Sequence, residues 1–190
     1  MNTFRIFYDC PLSDSALGLL RDGVAPHELI LSGAPASSVL AKSSPDPALA
    51  RADIAFGQPD VAGVLGAPGL RWLHISSAGY TRYDTAEFHA AARSRGLLVS
   101  NSSSVYSGPC AEHALAFMLA QSRTLPGALA SHSANGSAGW NALRHGCRSL
   151  RNQELLLLGF GAIARQLVRL LEPFEMRVSA LRRAPDGTER

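Results

Sequence analysis

An α/β fold built on parallel strands is what this sequence predicts, and three observations predict it. Short apolar runs alternate with helical patterns from residue 1 to residue 101. Leu155-Leu156-Leu157-Leu158 then runs straight into Gly159-Phe160-Gly161-Ala162-Ile163-Ala164, a buried strand turning sharply into a helix. Behind that helix, Met176-Arg177-Val178-Ser179-Ala180-Leu181 alternates as a second strand would. The expected arrangement is a flavodoxin-like small domain over residues 1–103, followed over 104–190 by the first part of a Rossmann-type dinucleotide domain.

The elements follow in chain order. Phe4 to Tyr8 opens as a strand that Asp9-Cys10-Pro11 ends, and a helical pattern runs from Ser13 to Arg21. Glu28 to Leu31 reads as a strand; Ala34 to Pro47, with its three prolines and several serines, supports no assignment. Asp53 to Gly57 and Leu70 to Ser76 are strands, the latter leading into the turn Ser77-Ala78-Gly79. Asp84-Thr85-Ala86-Glu87 has capping-box spacing ahead of a helix that Gly96 closes, and Leu97 to Asn101 is one more strand. Ser102-Ser103-Ser104 is a natural hinge. Pro109 to Gln121 forms an apolar helix with Ala111, Leu115, Met118 and Leu119 on one stripe. Thr124 to Gly146, rich in small residues, reads as an extended connector holding one short helix and Trp140, a packing anchor for another subunit. After the glycine turn, Ile163, Leu167, Leu170, Leu171 and Phe174 recur at helical spacing.

A chain of 190 residues, 46% hydrophobic and 17% charged, has the composition of a globular protein and not of a disordered one. No apolar run reaches the roughly 18 residues of a membrane span, and the start lacks the pattern of a secretory signal, so the expected location is cytoplasmic and no membrane partner is expected. Cys10, Cys110 and Cys147 are far apart and form no C-x-x-C pair, which points to packing and not to a disulfide framework or a metal site. The net charge of +3 is uneven: residues 144–190 carry nine basic and five acidic groups. No basic run is interleaved with aromatics, so a phosphate-bearing cofactor explains this bias more economically than nucleic acid.

The glycine turn carries the chemistry. Gly159 permits the sharp bend, Gly161 lets backbone approach a pyrophosphate, and Ala164 lets the helix lie close on its strand. Helix N–H groups at Ala162 and Ile163, with Phe160 in the turn, complete the candidate cofactor cradle. An ordinary glycine-bearing turn is the competing reading. Ser77-Ala78-Gly79, a glycine turn at a strand end, is a candidate nest for an anion. Glu112-His113 is not read as an acid/base pair, because adjacent residues on a helix do not face one point. No G-x-S-x-G or H-E-x-x-H occurs to support a hydrolase.

Three stretches together resemble the D-isomer-specific 2-hydroxyacid dehydrogenases: Arg71 to Tyr80, Val105 to Ala116 with its Ala-Glu-His, and Gly159 to Arg165. The resemblance implies a two-domain enzyme that reduces a small 2-oxo acid with a nicotinamide cofactor, the carboxylate meeting backbone N–H groups at Ser77, Ala78 and Gly79. In that family the substrate arginine, the carboxylate and the acid/base histidine come from later in the nucleotide domain, so no catalytic residue is assigned here. The chain is expected to be the front portion of a longer enzyme, inactive alone. The alternatives are a non-catalytic relative that dimerises, and a nucleotide-binding protein without hydride transfer. A sheet of two strands would leave apolar surface exposed, which predicts a homodimer.

Cofactor choice rests on the second strand's end. An acid about 20 residues after the turn accepts the ribose 2′-hydroxyl of NAD; here Arg182 and Arg183 stand there, favouring the 2′-phosphate of NADP. Asp186 is the competing acid, and solvated chain-end charges are the bland alternative.

Overall fold

The computed structural model describes residues 3–35, 37–38, 41, 43–130 and 136–182, apart from the side chains of 136–138, 140 and 142. It divides into two compact units, Met1–Ser103 and Ser104–Arg190.

The first unit carries five parallel strands, β1 (Arg5–Tyr8), β2 (Glu28–Leu31), β3 (Ile54–Gly57), β4 (Trp72–Ile75) and β5 (Leu98–Asn101), in the order β2-β1-β3-β4-β5. This is the flavodoxin-like order. Right-handed crossovers send α1 (Asp14–Val24) to one face of the sheet and α2 (Val61–Leu65) and α3 (Ala86–Arg95) to the other, because the chain winds outward in both directions from the β1–β3 pair. The core is a continuous cluster that includes Phe7, Ala55, Val64, Leu73, Ile75, Tyr83 and Phe88, each all but closed to solvent.

Local signals explain where the helices start. The Ser13 hydroxyl accepts the Ala16 N–H at 3.3 Å and starts α1. In α3 the cap is Thr85, whose hydroxyl accepts the Phe88 N–H at 3.1 Å. Asp84, the first residue of the expected capping box, instead pairs with His89 at 3.2 Å, so the helix begins one residue later than that spacing suggests. Gly96 closes α3 with φ +67°, a conformation glycine adopts without cost. The short α2 had no sequence pattern behind it; the Asp60 carboxylate caps it through the Gly63 N–H at 3.0 Å, and burial of Val64 holds it.

In the second unit, α4 (Ser107–Ser122) packs against α7 (Ala162–Leu171), and both cover one face of a two-stranded parallel sheet, β6 (Glu154–Leu158) and β7 (Arg177–Leu181). Alternation decides what is covered. Leu155 and Leu157 pack on the helices beside Leu167 and Leu171, whereas Leu156 and Leu158 point the other way into solvent.

Between α4 and β6 the chain is more helical than expected: α5 (Leu125–Ala130) and α6 (Gly136–Gly146) replace the extended connector. One glycine there serves close packing: a Cβ on Gly146 would stand only 3.0 Å from Thr124 Cγ2, whereas one on Gly127 would make an ordinary contact, 3.4 Å from Leu143 Cδ2. The Trp140 side chain, Arg183 and Asp186 lie outside the described residues. Cys10 is buried as expected of a packing residue, but Cys110 is exposed on α4. No helix among the described residues is long and apolar enough to cross a membrane.

Candidate functional site

The glycine turn of the second unit has the local geometry that the sequence predicts. Gly159 leaves β6 with φ +102°, open to glycine and strained for other residues, and its N–H donates to the Leu181 carbonyl at 2.8 Å. Gly161 is the N-terminal cap of α7, with no side chain capping the helix. The first helical hydrogen bond runs from the Arg165 N–H to the Gly161 carbonyl, so the N–H groups of the first turn precede it. The Arg165 guanidinium lies 5.5 Å from the centre of the Phe160 ring, bracing the turn from outside.

The two glycines differ in what demands them. Gly159 is fixed by its backbone angle. Gly161 has φ −87° and ψ −166°, ordinary extended backbone, and a Cβ built on it meets no heavy atom within 4 Å. Neither conformation nor internal packing requires glycine there, and the backbone at Gly161 is open to approach from outside. Ala162 and Ile163 open α7 beside it, with Ile163 exposed. Arg182 directly follows Leu181, which pairs with Leu158, and so starts at the same end of the sheet as the turn.

In the first unit, the turn after β4 is held by its carbonyls. Ser77 C=O accepts the Ser102 N–H at 3.1 Å, Ala78 C=O accepts Asn101 Nδ2 at 2.9 Å, and Gly79 C=O accepts the Ser77 hydroxyl at 2.7 Å. In a trans peptide each N–H points opposite to the preceding carbonyl, so the N–H groups of Ala78, Gly79 and Tyr80 face away from these anchors. Among the described residues no hydrogen bond uses those three N–H groups. Gly79, like Gly161, has open space where a Cβ would go. Three successive N–H groups beside an open glycine are thus left without an internal partner among the described residues.

His74, whose face the sequence left open, braces this turn from behind. Trp72 Nε1 donates to the Ser100 hydroxyl at 2.9 Å, and that hydroxyl lies 2.8 Å from His74 Nδ1. His74 Nε2 lies 3.0 Å from the Ser102 hydroxyl, which itself donates to Ile75 C=O at 3.0 Å. Each hydroxyl has one proton, so the chain runs one way: Ser100 donates to Nδ1, and His74 carries its proton on Nε2 and donates to Ser102. The histidine is a structural tie between β4 and β5.

One cluster escaped the sequence reading altogether. The carboxyl ends of β1 and β3, where the sheet order reverses, are the expected ligand crevice of such a fold, and there Asp9 and Gln58 are both buried. Gln58 N–H donates to Asp9 Oδ1 at 2.7 Å. The Arg82 guanidinium spans the same corner, donating to the Gln58 carbonyl at 3.1 Å, the Ser43 hydroxyl at 2.9 Å and the Ala41 carbonyl at 2.9 Å. Burial pushes the Asp9 carboxyl up to about 6, against the pull of the Gln58 N–H and of Arg82. The only signal in the sequence was an aspartate placed directly after the first strand.

Two parallel sheets, one of them turning through G-x-G into a helix, define an α/β protein with the opening of a dinucleotide-binding domain. Residues 115–190 match the family described as D-isomer specific 2-hydroxyacid dehydrogenase, NAD binding domain. The chain is similar in fold to the NADPH-dependent glyoxylate/hydroxypyruvate reductase of Sinorhizobium meliloti, solved with NADP and malonate (TM-score 0.64, 22% identity, 99% of this chain and 56% of that one). It is similar also to the D-mandelate dehydrogenase of Rhodotorula graminis (TM-score 0.69, 15% identity, 98% and 58%). A third is the NAD+-bound 3-phosphoglycerate dehydrogenase of Entamoeba histolytica (TM-score 0.62, 16% identity, 95% and 54%). The chain thus spans little more than half the length of the solved proteins it matches. No curated protein sequence matches it significantly.

Proposed function

We propose that this chain supplies the substrate-carboxylate turn and the cofactor-phosphate cradle of an NAD(P)H-dependent 2-hydroxyacid dehydrogenase acting on a small 2-oxo acid. The observation that carries this reading is the glycine turn itself: Gly159 leaves β6 at φ +102° and Gly161 caps α7 with no side chain over the helix start. Residues 1–103 act as the substrate domain and 104–190 as the first part of the nucleotide domain.

A bound nicotinamide cofactor supplies the hydride. Gly159, Phe160 and Gly161 bring backbone to its pyrophosphate, and the N–H groups at Ala162 and Ile163 meet the phosphate charge at the start of α7. Arg182 and Arg183 select the 2′-phosphate, so the preferred cofactor is NADP. The N–H groups of Ala78, Gly79 and Tyr80 hold the substrate carboxylate, with Ser77 fixing the turn. Proton donation to the substrate oxygen is assigned to no residue of this chain.

The test compares the chain alone with a chimera that continues it through the remaining half of a related nucleotide domain. The chain alone is expected to show no turnover of glyoxylate or hydroxypyruvate, since a missing general acid costs typically about 10² to 10⁴ in rate. The chimera is expected to reduce one of them, and Gly161→Val to weaken cofactor binding about tenfold or more through a clash of roughly 1–3 kcal/mol. A chimera that binds reduced cofactor equally well with and without Gly161→Val would overturn the reading. A second reading, a dimerising protein without catalysis, draws on the exposed Leu156 and Leu158.

A further inference from the structure

We propose that the cleft between α3 and β5 in the first unit is a binding site for a small carboxylate with an apolar body. Its volume is about 340 Å³, within the roughly 300–1,000 Å³ of small-molecule sites. The floor is the edge of the core, Ile75, Tyr83 and Phe88, all buried. The walls are Ala92 from α3 and Val99 from β5, the latter 43% exposed although it is a β-branched residue of a strand. Such a lining gains from an apolar occupant, at about 25 cal/mol for each Å² covered.

The charge of that occupant follows from which polar side chains are already engaged. Of those lining the cleft, Tyr83 donates its hydroxyl to the Pro59 carbonyl, and His89 faces the Asp84 carboxylate. Ser100 is held between Trp72 and His74, and Asn101 bonds both Ala78 and the Ser103 N–H. Two remain: among the described residues no hydrogen bond or ion pair engages the side chain of Arg93 or of Tyr80, and both line the cleft. A guanidinium and a phenol are both donors, and a carboxylate is the acceptor that suits them. The site needs neither the cofactor nor the reaction proposed above.

Phenylacetate is a fitting probe because it has the apolar body and the charge but no 2-oxo group to be reduced. Amide chemical shifts of the whole chain are followed as phenylacetate, benzyl alcohol or acetate is added. Phenylacetate is expected to shift the signals of Ala92, Arg93 and Val99 saturably and to bind more tightly than either of the others. Arg93→Gln, a change at an exposed position that leaves the core intact, is expected to weaken phenylacetate about five- to tenfold while leaving benzyl alcohol unchanged. Val99→Phe, which fills the cleft, is expected to weaken both aromatic probes. Shifts confined to other surfaces overturn the proposal. So does equal binding of phenylacetate and benzyl alcohol, or indifference of phenylacetate to Arg93→Gln.

Discussion

A Cβ on Gly57 would stand 1.7 Å from Oδ1 of Asp9. The last residue of β3 is therefore glycine for two reasons at once. Its φ of +136° is strained for any side chain, and the carboxylate that follows β1 already fills the space a side chain would take. Asp9 in turn accepts the Gln58 N–H, so the two central strands are stitched together at the end where their connections diverge.

Gly57→Ala is accordingly expected to destabilise the first unit by about 3 kcal/mol or more, combining backbone strain of roughly 1–3 kcal/mol with overpacking of similar size. Urea denaturation of the variant measures it. Asp9→Gly introduced into the same variant removes the clash but not the strain, so the two changes together are expected to cost less than their sum. Strict additivity would show that the close approach has no energetic consequence.

The same carboxylate makes stability depend on pH. Burial raises Asp9 from 3.8 in the unfolded chain to about 6 in the folded one, Arg82 and the Gln58 N–H opposing and Asp46 adding to the rise. The folded state then binds the proton more tightly, so stability falls as pH rises between these values. Cys10, Tyr8 and Tyr83 also face this carboxylate, and burial pushes all three above their ordinary values, so none of them ionises within that window. The Asp9 contribution is complete below about pH 4 and lost above about pH 6, and amounts to about 3 kcal/mol. Asp9→Asn is expected to flatten the pH 4–7 stability profile; an unchanged profile would place the dependence elsewhere.

Much of this was legible in the chain. Strands with apolar runs, the helix start at Ser13 and the Gly159–Gly161 turn announce themselves because the signal is local, whereas the capping-box spacing points to Asp84 and the cap of α3 is Thr85. What was not legible depends on long-range contacts. Asp9 meets Gln58 across 49 positions of sequence, and no spacing rule anticipates that. The α5–α6 region reads as a connector because its glycines look like loop residues until tertiary contacts, such as Thr124 against Gly146, are in place. His74 could not be assigned because its role needs Ser100 and Ser102 from the neighbouring strand.

The uncovered face of the second sheet has a consequence in solution. Parallel strands are normally buried on both sides, yet Leu158 is 81% exposed, and Leu156 and Leu181 are two-thirds exposed. The chain is expected to self-associate, and Leu156→Lys with Leu158→Lys is expected to shift it toward monomer without unfolding it, because neither leucine belongs to the buried cluster. Light scattering after size exclusion decides the matter. A monomer before the substitutions would rule out this face as an association surface.

Cofactor preference is expected to turn on Arg182. Gly159 N–H is bonded to the Leu181 carbonyl, so Arg182, half-buried and the first residue beyond β7, begins beside the glycine turn. In a dinucleotide site this is where a carboxylate would accept the ribose 2′-hydroxyl of NAD and repel a 2′-phosphate. A guanidinium reverses both effects, since charge-assisted and often bidentate hydrogen bonds hold the phosphate. The solved proteins of similar fold include an NADPH-dependent reductase and an NAD+-bound dehydrogenase. In the chimera, NADPH is expected to be preferred, and Arg182→Asp to move the preference toward NADH by about tenfold or more, as the loss of hydrogen bonds to a charged group worth roughly 1.5–3 kcal/mol requires. Ratios of kcat/KM for the two cofactors, before and after the change, give the answer. If NADH is preferred from the start and the substitution leaves that preference untouched, Arg182 is a solvated charge with no part in selecting the cofactor.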